Sequence, residues 1–319
     1  MGKAYEGGAP LVEVVRSGFA EGQHRGSVVV LDADGAPVAA AGDVTGAIFP
    51  RSSSKPLQAI GMLRSGLRLA DPADLALVAA SHWGEDFHIA RVRALLRSAG
   101  LDETALRCPP ALPHSEAARA ALYAAGGGRA RIFMDCSGKH AGMLLTCREN
   151  GWPLEEYFDR EHPLQERLAL AIEEFTGEPA VATGVDGCGA PVLAASLTGL
   201  ARAYLRIVHG DVGSVERRVA DAMRAHPELV AGTGAPDTAF MAGVPGLLCK
   251  VGAEAVWVAA LPGVGAVALK IDDGGVRARP PVLVSALRRL GVRGDVLDRS
   301  AEVPLTGGAA VVGSLRALW

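Results

Sequence analysis

Lysine is rare in this 319-residue chain, and three of its five lysines stand beside groups whose types and spacing suit chemistry. Ser52 and Lys55 form an S-x-x-K pattern within Arg51-Ser52-Ser53-Ser54-Lys55-Pro56. Apolar residues at Leu57, Ile60, Leu63 and Leu67 follow a helical period, which predicts a helix over 56–67. Ser52 then lies at a helix start and Lys55 one turn further on. A hydroxyl is a poor nucleophile at neutral pH, and a neutral amine one turn away on the same face can take its proton. The positive field of a helix N-terminus favours both the oxyanion and the deprotonated amine. Arginine cannot replace lysine in that role because it keeps its charge. Taken alone, the same residues also read as a serine-rich helix cap.

The hexamer Asp135-Cys136-Ser137-Gly138-Lys139-His140 offers a thiolate with His140 as its base, or a set of metal ligands. A second cysteine sits between glycines in Asp186-Gly187-Cys188-Gly189. Zinc prefers four ligands, and Cys136 and Cys188 can be joined by His140, Asp186 or an unusual neutral Lys139. Buried structural cysteine is the plain alternative, and it is the reading for Cys108, Cys147 and Cys249, which lie in apolar surroundings. Ser81-His82-Trp83-Gly84-Glu85-Asp86 gathers a hydroxyl, an imidazole and two carboxylates at a helix entrance, where Asp86 also reads as a cap. Lys270 ends an apolar run just before Ile271-Asp272-Asp273-Gly274-Gly275. Lys3 and Lys250 read as ordinary surface lysines.

These residues need elements to hold them. Segments 12–15 and 27–31 read as strands joined to a third through a turn at Asp32-Ala33-Asp34-Gly35, and a short strand runs to Phe49. Helical periods cover 74–80, 87–99, 115–125, 163–175, 191–208, 212–225 and 281–290, and one more helix starts near Gly138. Three strands follow in close succession at 247–251, 254–259 and 264–271, with a last one at 310–312. The order of strands, helices and strands again predicts an α+β protein. Its antiparallel sheet comes from both chain ends, about 10–50 and 245–315, with a helical region over about 56–230 packed on it within a single domain.

The bulk numbers narrow the function. Hydrophobic residues make up 49% of the chain and charged residues 21%, the balance of a globular protein with a sizeable core. The net charge is −3 and no basic stripe stands out, which disfavours nucleic acid and anionic membranes as partners. No apolar stretch is long enough to span a bilayer and the N-terminus lacks the apolar core of a signal peptide, so a cytoplasmic location is the default expectation. Five cysteines, an odd number, argue against a disulfide framework.

Taken together and in this order, Arg51 to Pro56, Ser81 to Glu85, Asp135 to His140, Asp186 to Gly189, Gly232-Thr233-Gly234-Ala235-Pro236-Asp237 and Lys270-x-Asp272 resemble the Rhizobium etli-type L-asparaginases, the asparaginase II family. His24-Arg25-Gly26 and Asp32 to Gly35 add to a resemblance that covers nearly the whole chain. It implies a fold similar to that of serine β-lactamases and glutaminases, and hydrolysis of L-asparagine to L-aspartate and ammonia. It further implies two Ser–Lys pairs, Ser52 with Lys55 and Ser81 with Lys270, with Ser52 as nucleophile. Zinc would be held by Cys136, Lys139 and Cys188, the substrate by Arg51, His82, Glu85 and Asp186, and the chain would form a homodimer. Three other readings compete. A β-lactamase-like or peptide-acting serine hydrolase uses the same S-x-x-K and strand lysine. A non-catalytic zinc-stabilised binding protein releases no ammonia from asparagine. A Cys136 thiol amidohydrolase loses activity in Cys136→Ser and keeps it in Ser52→Ala.

Overall fold

In the computed structural model, which describes residues 3–319, both ends of the chain build one sheet and the middle builds the helices. Strands β1 (Ala9–Arg16), β2 (Phe19–Asp32) and β3 (Pro37–Ala41) open the chain, followed by the short β4 (Ala47–Ile48). The expected turn after β2 forms: Asp32 Oδ1 accepts the N–H groups of Asp34 and Ala36, and Gly35 takes φ +82°. A run of helices comes next: α1 (Lys55–Arg64), α2 (Pro72–Val78), α3 (Asp86–Ser98), α4 (Glu116–Ala124), α5 (Ser137–Asn150) and α6 (Pro163–Thr176). Short strands β5 (Thr183–Val185), β6 (Pro191–Leu193) and β7 (Ala195–Ser196) separate these from α7 (Leu197–His209), α8 (Val215–Ala225), α9 (Pro227–Val230) and α10 (Pro236–Gly243). The chain closes with β8 (Leu248–Gly252), β9 (Val256–Leu261), β10 (Gly265–Ile271), α11 (Arg279–Arg289), α12 (Asp295–Ser300), β11 (Glu302–Gly307) and β12 (Ala310–Ala317).

The main sheet runs β11-β12-β1-β2-β10-β9-β8, with β3 paired to the second half of β2, and its pairings are antiparallel. The fold is therefore α+β, with the sheet drawn from both chain ends as the sequence order implies. Val28, Val29, Val30 and Leu31 on β2 are all fully buried, as are Val256 to Ala259 on β9. Successive side chains on a strand point to opposite faces, so both faces of the central strands are covered. Helices α7 and α11 pack on them. Helix α1 is buried on every side from Lys55 to Leu63, which makes it the core of the helical region. Among the described residues, no helix is long and apolar enough to cross a membrane.

Helices α9, α10 and α12 and strand β5 go unread in the sequence, and two further stretches differ from the expectation. The helix expected over 191–208 begins only at Leu197, where the Ser196 hydroxyl caps it by accepting the Gly199 N–H at 2.9 Å. The buried apolar residues before that point form β6 and β7, because an uninterrupted apolar run carries no period to separate strand from helix. Strand β11, which the sequence reading passes over, pairs only with β12 at the edge of the sheet, the one kind of position where Pro304 is tolerated.

Candidate active site

The S-x-x-K segment sits where the helical region meets the sheet edge. Residues Arg51–Ser54 form a 3-10 turn that leads into α1, and Arg51 holds φ +54°, uncommon outside glycine. Edge strand β8 runs alongside. Gly252 lets the two backbones touch, because a Cβ at that position would lie 2.4 Å from the Pro50 carbonyl oxygen. This approach brings the side chains of β8 to the start of α1.

Ser81, in the loop between α2 and α3, is the hydroxyl at the centre of the site. The Lys55 and Lys250 amino groups each lie 2.9 Å from its Oγ. Lys55 also donates to the Ala80 carbonyl at 2.6 Å, and Lys250 to that of Val251 at 2.9 Å. Behind each lysine stands a carboxylate: Asp135 is 3.7 Å from Lys55, and Asp237 is 3.8 Å from Lys250. A hydroxyl has one proton and two lone pairs. If both amines were charged, Ser81 would accept twice and its own proton would have no partner among them, left to point into the cavity. One neutral amine resolves this by accepting the serine proton. Lys250 is the better candidate. Burial pushes its pKa down to about 8, against the opposing pull of Asp237, and Lys55 lowers it further. For Lys55, burial also lowers the value, but Cys136 and Asp135 outweigh it and the net direction is up. Burial would raise the Asp135 carboxyl, yet the Lys55 amine, its largest opposing influence, holds it below its ordinary value.

The lysine on Ser81 is thus Lys250 on β8, and not Lys270 as the resemblance implies. Lys270 lies near the end of β10, half-buried, and its amino group donates to the carbonyls of Glu254 and Ile271. It faces a separate cavity of about 770 Å³ lined mainly by apolar residues. Lys250 is the functional candidate that sequence reasoning missed. A signal was present: one lysine inside the apolar run 247–251 must be paired if that run is a buried strand.

The two thiols come together beside these lysines. Lys139 donates to Cys188 Sγ at 3.2 Å, and Cys136 Sγ, beside it, donates to Asp135 Oδ1 at 3.6 Å. The neighbouring Cys136 thiol, with Lys139 and His140 adding to its effect against burial, holds Cys188 well below the ordinary thiol value. The neighbouring Cys188, burial and Asp135 raise Cys136. His140 is fully buried behind them. Its Nδ1 lies 2.6 Å from the Tyr157 hydroxyl, and its Nε2 is beside Cys188 with no nitrogen or oxygen partner. Among the described residues, no three His, Cys, Asp or Glu side chains are grouped to hold a metal ion. The donors that do converge are two sulfurs and an amine, a set whose softness suits zinc over magnesium.

Ser52, Ser81, Asp135, Cys136, Asp186 and Cys188 line one cavity of about 370 Å³, closed by Arg51, Trp83, His114 and the 251–253 backbone. That volume is at the lower end of the roughly 300–1,000 Å³ of small-molecule pockets. Ser52 makes no side-chain hydrogen bond among the described residues, so its hydroxyl is free toward the cavity and not bonded to Lys55. Arg51 Nε donates to Asp186 Oδ1 at 2.5 Å across the mouth. Two residues expected at the substrate serve the frame instead. His82 is fully buried and accepts the Gly84 N–H at Nδ1, so its Nε2–H donates to Ser137 Oγ at 2.9 Å, at the start of α5. Burial keeps it neutral, well below the ordinary histidine value. Glu85 caps α3 and accepts the Thr233 N–H and hydroxyl, which ties α3 to the 232–235 loop.

A hydroxyl bracketed by two buried lysines, in a cavity of small-molecule size, defines a hydrolase-type site. The chain belongs to the L-asparaginase II family, whose model matches residues 12–317, and it is accordingly an amidohydrolase. Solved structures similar to it include a β-lactamase from Mycobacterium bovis, at 16% identity over 84% of this chain and 95% of that one, with a TM-score of 0.43. Mglu in its native form is similar at 16% identity over 91% of this chain and 67% of that one, with a TM-score of 0.45. A Bacillus glutaminase is similar at 15% identity over 84% and 92%, with a TM-score of 0.37. No curated protein matches the chain.

Proposed function

We propose that the protein hydrolyses L-asparagine to L-aspartate and ammonia through an acyl-enzyme, as a Rhizobium etli-type member of its family. The observation that carries this reading is the Ser81 hydroxyl held 2.9 Å from both Lys55 and Lys250, in the wall of the cavity that Ser52 enters unbonded. An α-amino acid amide brings a carboxylate, an ammonium and a neutral amide. The Arg51–Asp186 pair at the mouth can open onto the two charged ends, guanidinium to carboxylate and carboxylate to ammonium. The amide then points inward to Ser52. Ser52 Oγ attacks the amide carbon, and its proton passes to the Lys55–Ser81–Lys250 chain, where neutral Lys250 is the acceptor. The same chain returns a proton to the departing nitrogen, and ammonia leaves the serine ester. Water attacks the ester as the chain takes the water's proton, releasing aspartate and restoring Ser52.

Cys136, Cys188 and Lys139 would hold zinc beside this cavity, where the ion would supply a fixed positive charge for orienting substrate. Two thiolates leave such an ion a weak Lewis acid. The family resemblance also leads us to propose a homodimer, which light scattering on the purified protein checks.

The test is ammonia release from asparagine and from glutamine, with Ser52→Ala in parallel. Asparagine turnover lost by at least about 10³-fold in Ser52→Ala supports the reading. No ammonia from either amide by the wild type refutes it. A second reading rests on the same bonds: Ser81, the serine with two amines on its oxygen, is itself the nucleophile. Mass spectrometry of the acid-quenched acyl-enzyme separates the two by whether the adduct maps to Ser52 or to Ser81.

A further inference from the structure

The segment Gly232 to Asp237 has no part in the mechanism above, yet it ends on one of the most enclosed carboxylates in the chain. Asp237, at the start of α10, is 1% exposed. Trp257 Nε1 donates to its Oδ1 at 2.8 Å, and the Val251 N–H to its Oδ2 at 3.0 Å. Cys249 Sγ lies 3.6 Å from Oδ1. Strand β8 is the sheet edge, so the Val251 N–H has no strand partner on that side, and the carboxylate supplies one. The same Oδ2 is 3.8 Å from Lys250 Nζ, whose hydrogen bonds go to Ser81 Oγ and the Val251 carbonyl. Burying a carboxylate this completely is costly and is offset only by partners. One of its partners here is the amine proposed as the base.

We propose that Asp237 is a positioning residue for Lys250: its carboxylate pins β8 and the Lys250 amine against Ser81 and stands as the counter-charge of that amine. The proposal rests on the assignment of Lys250 as the base. Four charged or titratable groups face the amine. Asp237 comes from α10 and Lys55 from α1, while Asp135 and Cys136 come from the segment entering α5. Asp237, Asp135 and Cys136 favour the charged amine and Lys55 disfavours it. The Arg279 guanidinium, stacked over the Trp257 ring, balances Asp237 from the far side. Asp237 is the carboxylate whose removal leaves the Ser81 side of the site untouched.

The experiment is the pH dependence of kcat/KM for asparagine in wild type, Asp237→Asn and Lys250→Met, with thermal unfolding of each. Asparagine at position 237 keeps the shape and one of the two acceptor oxygens but removes the charge. The acid limb of kcat/KM moves down by about one pH unit or more in Asp237→Asn, because the protonated amine loses its counter-charge. A limb that stays in place while kcat/KM falls uniformly means that Asp237 only supports the fold, and overturns the proposal. Activity surviving in Lys250→Met removes the base assignment itself, and the proposal falls with it. Should Asp237→Asn not fold, Trp257→Phe decides. It keeps an aromatic ring and the carboxylate but deletes the indole N–H donor, so the bare charge acts more strongly on Lys250 and the limb moves up. A limb that is unmoved or lowered in Trp257→Phe overturns the proposal.

Discussion

If neutral Lys250 is the proton acceptor on Ser81, asparagine hydrolysis has a steep acid limb, with its midpoint near the pKa of that amine. Burial brings that amine down to about 8. The neutral fraction is then about a half at pH 8, roughly a tenth at pH 7 and about a hundredth at pH 6. At saturating metal, kcat/KM falls about tenfold per pH unit below the midpoint, about 1.4 kcal/mol of activation free energy per unit, and is flat above it. Lys250→Arg puts a permanent cation in the same place and loses the limb together with at least about 10²-fold of the rate, the low end of what a general base contributes. Calorimetric turnover reads this across the range without a coupling enzyme. A limb centred above about pH 10 would instead assign the base to Lys55, whose amine keeps its proton more tightly than a free lysine. No limb at all, or a Lys250→Arg enzyme with more than about a tenth of wild-type activity, would refute the reasoning.

The remaining predictions are more local. Lys270→Met keeps kcat/KM within about threefold of wild type, since the Lys270 amine is spent on two backbone carbonyls; a loss of about 100-fold or more would return it to the site. Gly252→Ala places a methyl 2.4 Å from the Pro50 oxygen, which pushes β8 off the 51–54 turn. It costs about 1–3 kcal/mol in thermal unfolding and lowers kcat in the material that still folds. Zinc analysis returns about one ion per chain in wild type and none in Cys136→Ala or Cys188→Ala, and occupancy drops as acid protonates the ligands. Lys250 also leaves a signature in stability. Its folded value is depressed, so between about pH 8 and 10.5 the unfolded chain binds the extra proton, and the wild type gains on Lys250→Met as pH rises through that window. Chemical denaturation of both proteins at either end of the window measures the difference.

Much of the fold was legible because its signals are local. The hairpin after β2 follows from Asp32 and Gly35, which satisfy the turn wherever the strands end up. Helices α3, α6 and α8 keep their expected bounds within a few residues, since periodicity and caps lie in the segment itself. What failed was the apolar run before α7, where the burial of every residue erased the period, and β11, whose partner lies across a turn at the sheet edge.

The site divides along the same line. The sequence by itself determined that Ser52 and Lys55 share one turn of chain, and that Cys136 and Lys139 share the first turn of a helix, because residues three apart on a helix must be neighbours. It also marked Asp186 and Cys188 as flanking one tight loop. Only the tertiary structure decided which lysine meets Ser81. Lys250 and Lys270 both belong to apolar strands in the C-terminal third of the chain; the place of Lys250 inside its run says that it must be paired, but neither strand says with what. The strand order does: β8 is the edge that Gly252 lets against the 51–54 turn, whereas β10 is interior and its lysine lies beyond the reach of Ser81's hydrogen bonds. The same holds for His82 and Glu85. Both follow Ser81 in sequence, but His82 turns into the core toward Ser137 and Glu85 caps α3. Adjacency along a loop fixes proximity of backbone; the direction of each side chain is set by what packs against that loop from the rest of the fold.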